Sequence, residues 1–331
     1  MFGSIRHIPW VGKLLILVGV YLITEFLFIY VSAGIIQVLY PSVNLFDLVA
    51  DLSVMTSADQ VNAEQTAALK LYQAITSLGR FLVVSLVFVY LCGERPGNYL
   101  LLNRAPSGPQ FLLLPILFLA SGVFIGGVQE WNANLHLPAA LKDLEATMRD
   151  LEDRAQLQTD LFLQVDTPAG LAVNILVVCI IAAMGEEWLF RGVLQQTIYR
   201  GTGNAHGAIW ISALLFSFIH LQFFGFFPRL LLGAMMGYLL YFSNSIWAPI
   251  TAHFLNNLIT VTGYYLIQTG ALDASLKEPA PWWGSLIASP FVFLLLWQFK
   301  RAGTTQTLPD GKRLDADLHD TGQDPGELPA K

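Results

Sequence analysis

The sequence predicts an all-α integral membrane protein, a polytopic bundle of about eight transmembrane helices. Three observations carry that prediction. Hydrophobic residues make up 54% of the 331 and charged residues only 13%, against about a quarter charged in soluble domains. Apolar runs recur along the chain, most of them near the roughly 20 residues needed to cross a bilayer. Ionisable residues inside those runs are few and concentrate in the second half. The net charge of −6 is spread over loops and tail, which excludes a basic nucleic-acid-binding face.

The runs fall at about 14–39, 75–93, 111–128, 170–199, 207–221, 228–243, 246–268 and 283–299. The basic start MFGSIRHIPWVGK precedes an apolar stretch too long for a signal peptide, and the first run reads as a retained anchor. Two polar loops, 40–74 and 129–169, separate the first runs. The second loop holds LKDLEATMRDLEDRAQLQ, in which Leu141, Leu144, Met148, Leu151 and Ala155 share one helical face. That pattern predicts an amphipathic helix lying on the outer surface or capping the bundle. Pro228 and Pro249 stand at the heads of two runs, where proline is tolerated, and Gly233 with Gly237 forms a GxxxG. The tail after Arg301 is polar and rich in Pro, Gly and Asp, and is expected to be disordered. Cys92 and Cys179 read as small core residues.

Basic residues set the orientation. Arg6, Lys13, Arg95, Arg104, Arg200, Lys300 and Arg301 fall on one side of an eight-helix arrangement, which should be cytoplasmic with both termini. The domain plan is then three helices and two outer loops over 1–169, a core over 170–268, a last helix over 269–301 and a tail over 302–331.

Ionisable groups within apolar runs are costly and usually functional. They are Glu25, Arg80, Glu186, Glu187, Arg191, His220 and His253, with Asn257 as a polar companion. Glu25 reads as a lone hydrogen-bonded carboxyl and Arg80 as a residue near a segment end that can snorkel. The remaining five fall within 68 positions. Glu187 and Arg191 are i,i+4 neighbours, the spacing of an intrahelical ion pair, whereas Glu186 is turned away by about 100°. Phe216 with His220, and His253 with Asn257, are also i,i+4. Glu186 lies 13 residues before Tyr199, and His220 lies 13 after Gly207. At 1.5 Å per residue a hairpin at RGTGN sets both about 20 Å from the turn, at one level.

A glutamate, two histidines and an asparagine can activate water and stabilise an oxyanion. Glu186 is the candidate base, and His220, His253 and Asn257 the candidate catalytic partners. Glu187, Arg191 and Phe216 support them. Glu186, His220 and His253 could also hold a zinc with an open position, because two histidines and a carboxylate form a catalytic ligand set. Without an HExxH motif, any such set comes from three helices. The bland alternative is a set of hydrogen-bonded core residues and a structural ion pair.

The motif residues resemble those of a known family. GEEWLFRG, Gly185 to Gly192, resembles an EExxxR motif. FSFIH, Phe216 to His220, resembles FxxxH, and HFLNN, His253 to Asn257, resembles HxxxN. In this order they are similar to the CAAX prenyl endopeptidase type II family, also called the ABI or CPBP intramembrane proteases. The resemblance spans about 170–268. It implies an eight-helix membrane protease with its active site inside the bundle, often labelled a metalloprotease. Carried across, Glu186 and His220 would activate water, while His253 and Asn257 would stabilise the oxyanion or help hold a metal. The expected substrate is a protein or peptide, lipidated in the CAAX case or a bacteriocin-type precursor in bacterial relatives. The expected setting is the bacterial inner membrane, with lipids as neighbours. Two other readings compete: a non-catalytic immunity or scaffold protein of the same fold, and a transporter with a proton relay. The one-sided polar cluster and the lack of an internal repeat argue against the transporter.

Overall fold

The computed structural model describes residues 5–303 apart from 53, 54, 56, 58 and 59, with the side chain of Lys277 also left out. The described residues form helices and connecting turns, with no strand. The long helices are α1 (Trp10–Leu39), α2 (Ala63–Leu91), α3 (Gly108–Ala133), α4 (Lys142–Leu163), α5 (Pro168–Thr202), α6 (Ala205–Phe218), α7 (Phe226–Ser243), α8 (Trp247–Gln268) and α9 (Trp282–Gly303). Among the described residues six helices are long and apolar enough to cross a membrane: α1, α2, α3, α5, α9 and the one ending at Ser243. The protein is an all-α polytopic membrane protein, but the count of eight spans is not reached. α6 is too short to cross, and α8 carries Thr, Asn, His and Gln that lower its hydropathy.

Several boundaries differ from the apolar runs. The polar loop expected over 40–74 is largely helical, with one short helix at Leu45–Leu52 and the first half of α2 from Ala63. Asn62 starts α2 through a reciprocal cap with Gln65 that satisfies end N–H groups. Arg80 consequently lies inside a 29-residue helix rather than near a segment end. Its guanidinium bonds both carboxylate oxygens of Glu25, with Nε to Oε2 at 2.7 Å. Neither residue is the isolated group expected from the sequence, and the paired charges tie α1 to α2. Lys300 and Arg301 lie in the last turn of α9, which runs past the expected boundary. The tail from 304 lies outside the described residues.

The amphipathic helix forms as α4. Leu141, Leu144 and Leu151 are exposed, so the apolar face is not what docks it. Docking comes from Leu161 and Leu163, both buried, and from polar contacts described below.

α5 is the central helix, touching α1, α2, α6, α7 and α8. Thr167 caps its start by accepting from the Gly170 N–H, and Gly203, with φ +68°, ends it. Two wide turns of π-helix, Ile175–Ile181 and Trp188–Gln195, interrupt its α-helical hydrogen bonding, and α2 has another at Leu78–Val83. Such turns cluster at functional sites, because they re-aim side chains. At Gly185 a Cβ would come within 2.8 Å of the Phe81 Cβ, so this glycine permits the close approach of α2. The basic end of the chain is physically one end: Arg6 bonds the Gly93 carbonyl, Arg200 lies over Tyr99 and Ser107 bonds the Ala302 carbonyl. Outward residues of α1 and α9, such as Leu15, Phe26, Leu286 and Phe293, are exposed apolar surface suited to lipid.

Candidate functional site

Glu186 and Glu187 sit where the α-helical part of α5 gives way to its second π turn. The Glu187 side chain is fully buried and Arg191 is 1% exposed. Glu187 Oε1 accepts from Arg191 Nη1 at 3.0 Å and from His253 Nδ1 at 2.8 Å. Arg191 also donates through Nη2 to the Gly233 carbonyl at 3.0 Å. The guanidinium lies 4.6 Å from the Phe216 ring centre. One carboxylate therefore joins α5 to α8, and one arginine joins α5 to α6 and α7. A buried carboxylate survives only with this kind of neutralisation.

Glu186 differs in every respect. Its side chain is 17% exposed, and among the described residues its carboxylate makes no hydrogen bond. The nearest ionic partner is His253 Nε2, 3.9 Å from Oε2, beyond hydrogen-bond reach. Glu187 thus fixes one nitrogen of His253 while the other faces Glu186. Adjacent glutamates are split into a sealed structural group and an accessible one.

Phe216 links the remaining pieces. Its ring centre lies 5.1 Å from that of His220 and 6.5 Å from that of His253, edge-on to both. His220 Nδ1 donates to the Phe216 carbonyl at 2.7 Å, which leaves Nε2 free. Both histidines are held through Nδ1, by a carboxylate in one case and a backbone carbonyl in the other. Asn257, one turn beyond His253 on α8, donates its amide to the Val178 carbonyl at 2.8 Å, and its oxygen accepts from Asn256.

Three contributors escaped the sequence reading. Gln195 donates to the Gly237 carbonyl at 3.2 Å, one turn beyond the Arg191–Gly233 contact. The GxxxG is therefore more than a packing notch; its carbonyls receive two side chains from α5. Arg229, at the head of α7, donates to Gln222 and lies within electrostatic reach of Glu186 and Glu152. An isolated arginine opening the apolar run FFPRLLL was the available signal. Glu152 on α4 accepts from the Phe224 N–H at 3.1 Å and from Gln222 at 3.3 Å. Burial raises its pKa above the ordinary carboxylate range, while the Phe224 N–H and Arg229 oppose the shift. Arg149 stacks 4.0 Å over the Phe224 ring. α4 thereby clamps the turn that follows His220.

The expected zinc ligands do not assemble into a ligand set. Among the described residues no three His, Cys, Asp or Glu side chains stand where they could share an ion. Glu186 and His253 face each other, and His220 packs on Phe216, whose ring also meets His253.

No curated protein and no solved structure matches the chain. A family model does, described as type II CAAX prenyl endopeptidase Rce1-like, over residues 168–259. The matched stretch holds α5 through most of α8, and with them Glu186, Glu187, Arg191, Phe216, His220, His253 and Asn257. Over those residues the chain is similar to the Rce1-like, type II CAAX prenyl endopeptidase family, a family of proteases.

Proposed function

We propose that the protein is an intramembrane endopeptidase in which Glu186 activates the attacking water. The observation that carries this is the division of labour between the glutamates. Glu187 is buried and bonded twice, whereas Glu186 is accessible, has no hydrogen bond and faces a histidine nitrogen. Glu186 takes a proton from water as the water oxygen attacks the scissile carbonyl. His253, protonated on both nitrogens between the two glutamates, offers its Nε2–H to the oxyanion that develops, and His220, whose Nδ1–H is on the Phe216 carbonyl, presents an Nε2 lone pair that accepts from the attacking water. Glu186 then passes its proton to the departing amine as the C–N bond breaks. Glu187 and Arg191 hold His253 in orientation and take no proton in the cycle. The cycle as proposed uses only side chains of this chain, and loss of cleavage in chelator is the outcome that would bring zinc into it.

The substrate class is a peptide bond in a membrane-associated protein or peptide, either a lipidated CAAX-type terminus or a precursor matured by cleavage. The family supports this class, and the location of the site within apolar helices gives such substrates access along the bilayer. The setting we propose is a bacterial inner membrane with both termini cytoplasmic, supported by the basic residues gathered at one end. The test is incubation of the purified protein in detergent with prenylated CAAX-type peptides and a library of unmodified peptides, with and without chelator. Cleavage of either class that survives the chelator supports the mechanism. Absence of cleavage of both classes turns the reading to a non-catalytic protein of the same fold.

A further inference from the structure

A second site lies in the half of the chain that the family match largely leaves uncovered. A cavity of about 750 Å³ opens between the end of α1, the start of α2, the end of α4 and the start of α5. Its size lies within the 300–1,000 Å³ typical of ligand pockets. Most of the wall is aliphatic, with Leu39, Leu71, Val173 and Leu176 among the lining side chains. Into it projects Lys70, a residue only 9% exposed.

Among the described residues no carboxylate, carbonyl or hydroxyl bonds the Lys70 ammonium. Asp166 also lines the cavity but forms no ion pair with it. Buried charge in a membrane protein is normally paired, as Arg80 and Arg191 are in this chain. A lysine near a helix end can instead snorkel into the interface with its head in water. Lys70 lies seven residues from the start of α2, about 10 Å along its axis, and is nonetheless buried.

An aliphatic cavity with one unneutralised cation is complementary to a molecule that combines a hydrocarbon chain with a negative head. We infer that this cavity binds an anionic membrane lipid, with an acyl chain along the aliphatic wall and the headgroup charge on Lys70. The hydroxyl of Thr167, which accepts from the Gly170 N–H and keeps its own proton to give, also lines the cavity and offers a further donor to the head. The site is distinct from the glutamate cluster: Val177, on its wall, precedes Glu186 by nine residues of α5, about 13 Å of helix.

The test uses the full chain in detergent and native mass spectrometry. Three probes are compared: phosphatidylglycerol, phosphatidylcholine and free glycerol phosphate. The expected result is retention of phosphatidylglycerol at least tenfold tighter than phosphatidylcholine, with no binding of glycerol phosphate. Lys70→Gln should abolish that preference while leaving residual binding of both lipids. Ala67→Trp, which fills the cavity from the wall, should remove binding of both. Equal binding of the two lipids by the unmodified protein overturns the inference, as does an unchanged preference in Lys70→Gln. Tight binding of glycerol phosphate alone overturns the acyl-chain assignment. Proteolysis is not read out, so failure here is distinguishable from failure of the endopeptidase reading.

Discussion

Glu187 on α5 and His253 on α8, 66 residues apart in sequence, are joined by a 2.8 Å hydrogen bond inside the bundle. The same carboxylate oxygen receives Arg191. This triad is the frame on which Glu186 and the free nitrogen of His253 are held, and it separates residues that keep the site together from residues that react.

Removing Glu187 should therefore be a stability defect. Glu187→Ala leaves Arg191 charged and unpaired among apolar neighbours, and breaking a buried pair costs about 3–5 kcal/mol. Thermal unfolding in detergent should show a large drop in midpoint, with less folded protein recovered from membranes. A variant as stable as the parent would remove Glu187 from the frame.

Gly233 gives a second stability test. A Cβ there would approach Arg191 Nη2 and the Phe216 ring at 3.2 Å and the Ala213 Cα at 3.3 Å. Backbone cannot yield as a flexible side chain can, so Gly233→Ala should cost about 1–3 kcal/mol. The loss should be read in unfolding midpoint and should exceed that of Gly263→Ala, where nothing lies within 4 Å of the added carbon.

The Glu25–Arg80 pair makes different predictions for single and double variants. Glu25→Leu strands a guanidinium and should destabilise by about 3–5 kcal/mol. Glu25→Leu with Arg80→Leu removes both desolvation costs and should recover most of that loss. A double variant no better than the singles would mean that the pair contributes net stability.

These outcomes also mark what the sequence could show. Apolar length disclosed the helices, and i,i+4 spacing disclosed Glu187–Arg191, because both are local. The pairing of Glu25 with Arg80 spans 55 positions and no pattern links them. The start of α2 was hidden because NAEQTAALK is too polar to extend an apolar run, although Asn62 and Gln65 form a legible capping box. The two π turns of α5 leave no periodic signature. Glu186, His220 and His253 were legible as costly polar residues, but the local partners of His220 and Asn257, both backbone carbonyls, were not.

The head of α4 should loosen in acid. Glu145 is held down to about 2 by the Leu137 N–H first, then by Arg149 and His136. A carboxylate with a depressed folded-state pKa contributes stability above its unfolded value, near 4.3, and loses it as pH falls toward the folded one. Hydrogen exchange at Leu137 and through the first turns of α4 should accelerate between about pH 4.5 and 2. Glu145→Gln should exchange fast throughout and lose that dependence. An unchanged profile would show that the contact does not order this segment.

The central claim is that Glu186 reacts and Glu187 supports. Its most direct test is the cleavage rate of Glu186→Gln against the parent on one peptide substrate, with both proteins matched for unfolding midpoint. The account predicts a folded variant whose rate falls by about 10³-fold or more, the scale of losing a general base and its activated water. Equal rates from the parent and Glu186→Gln would contradict it.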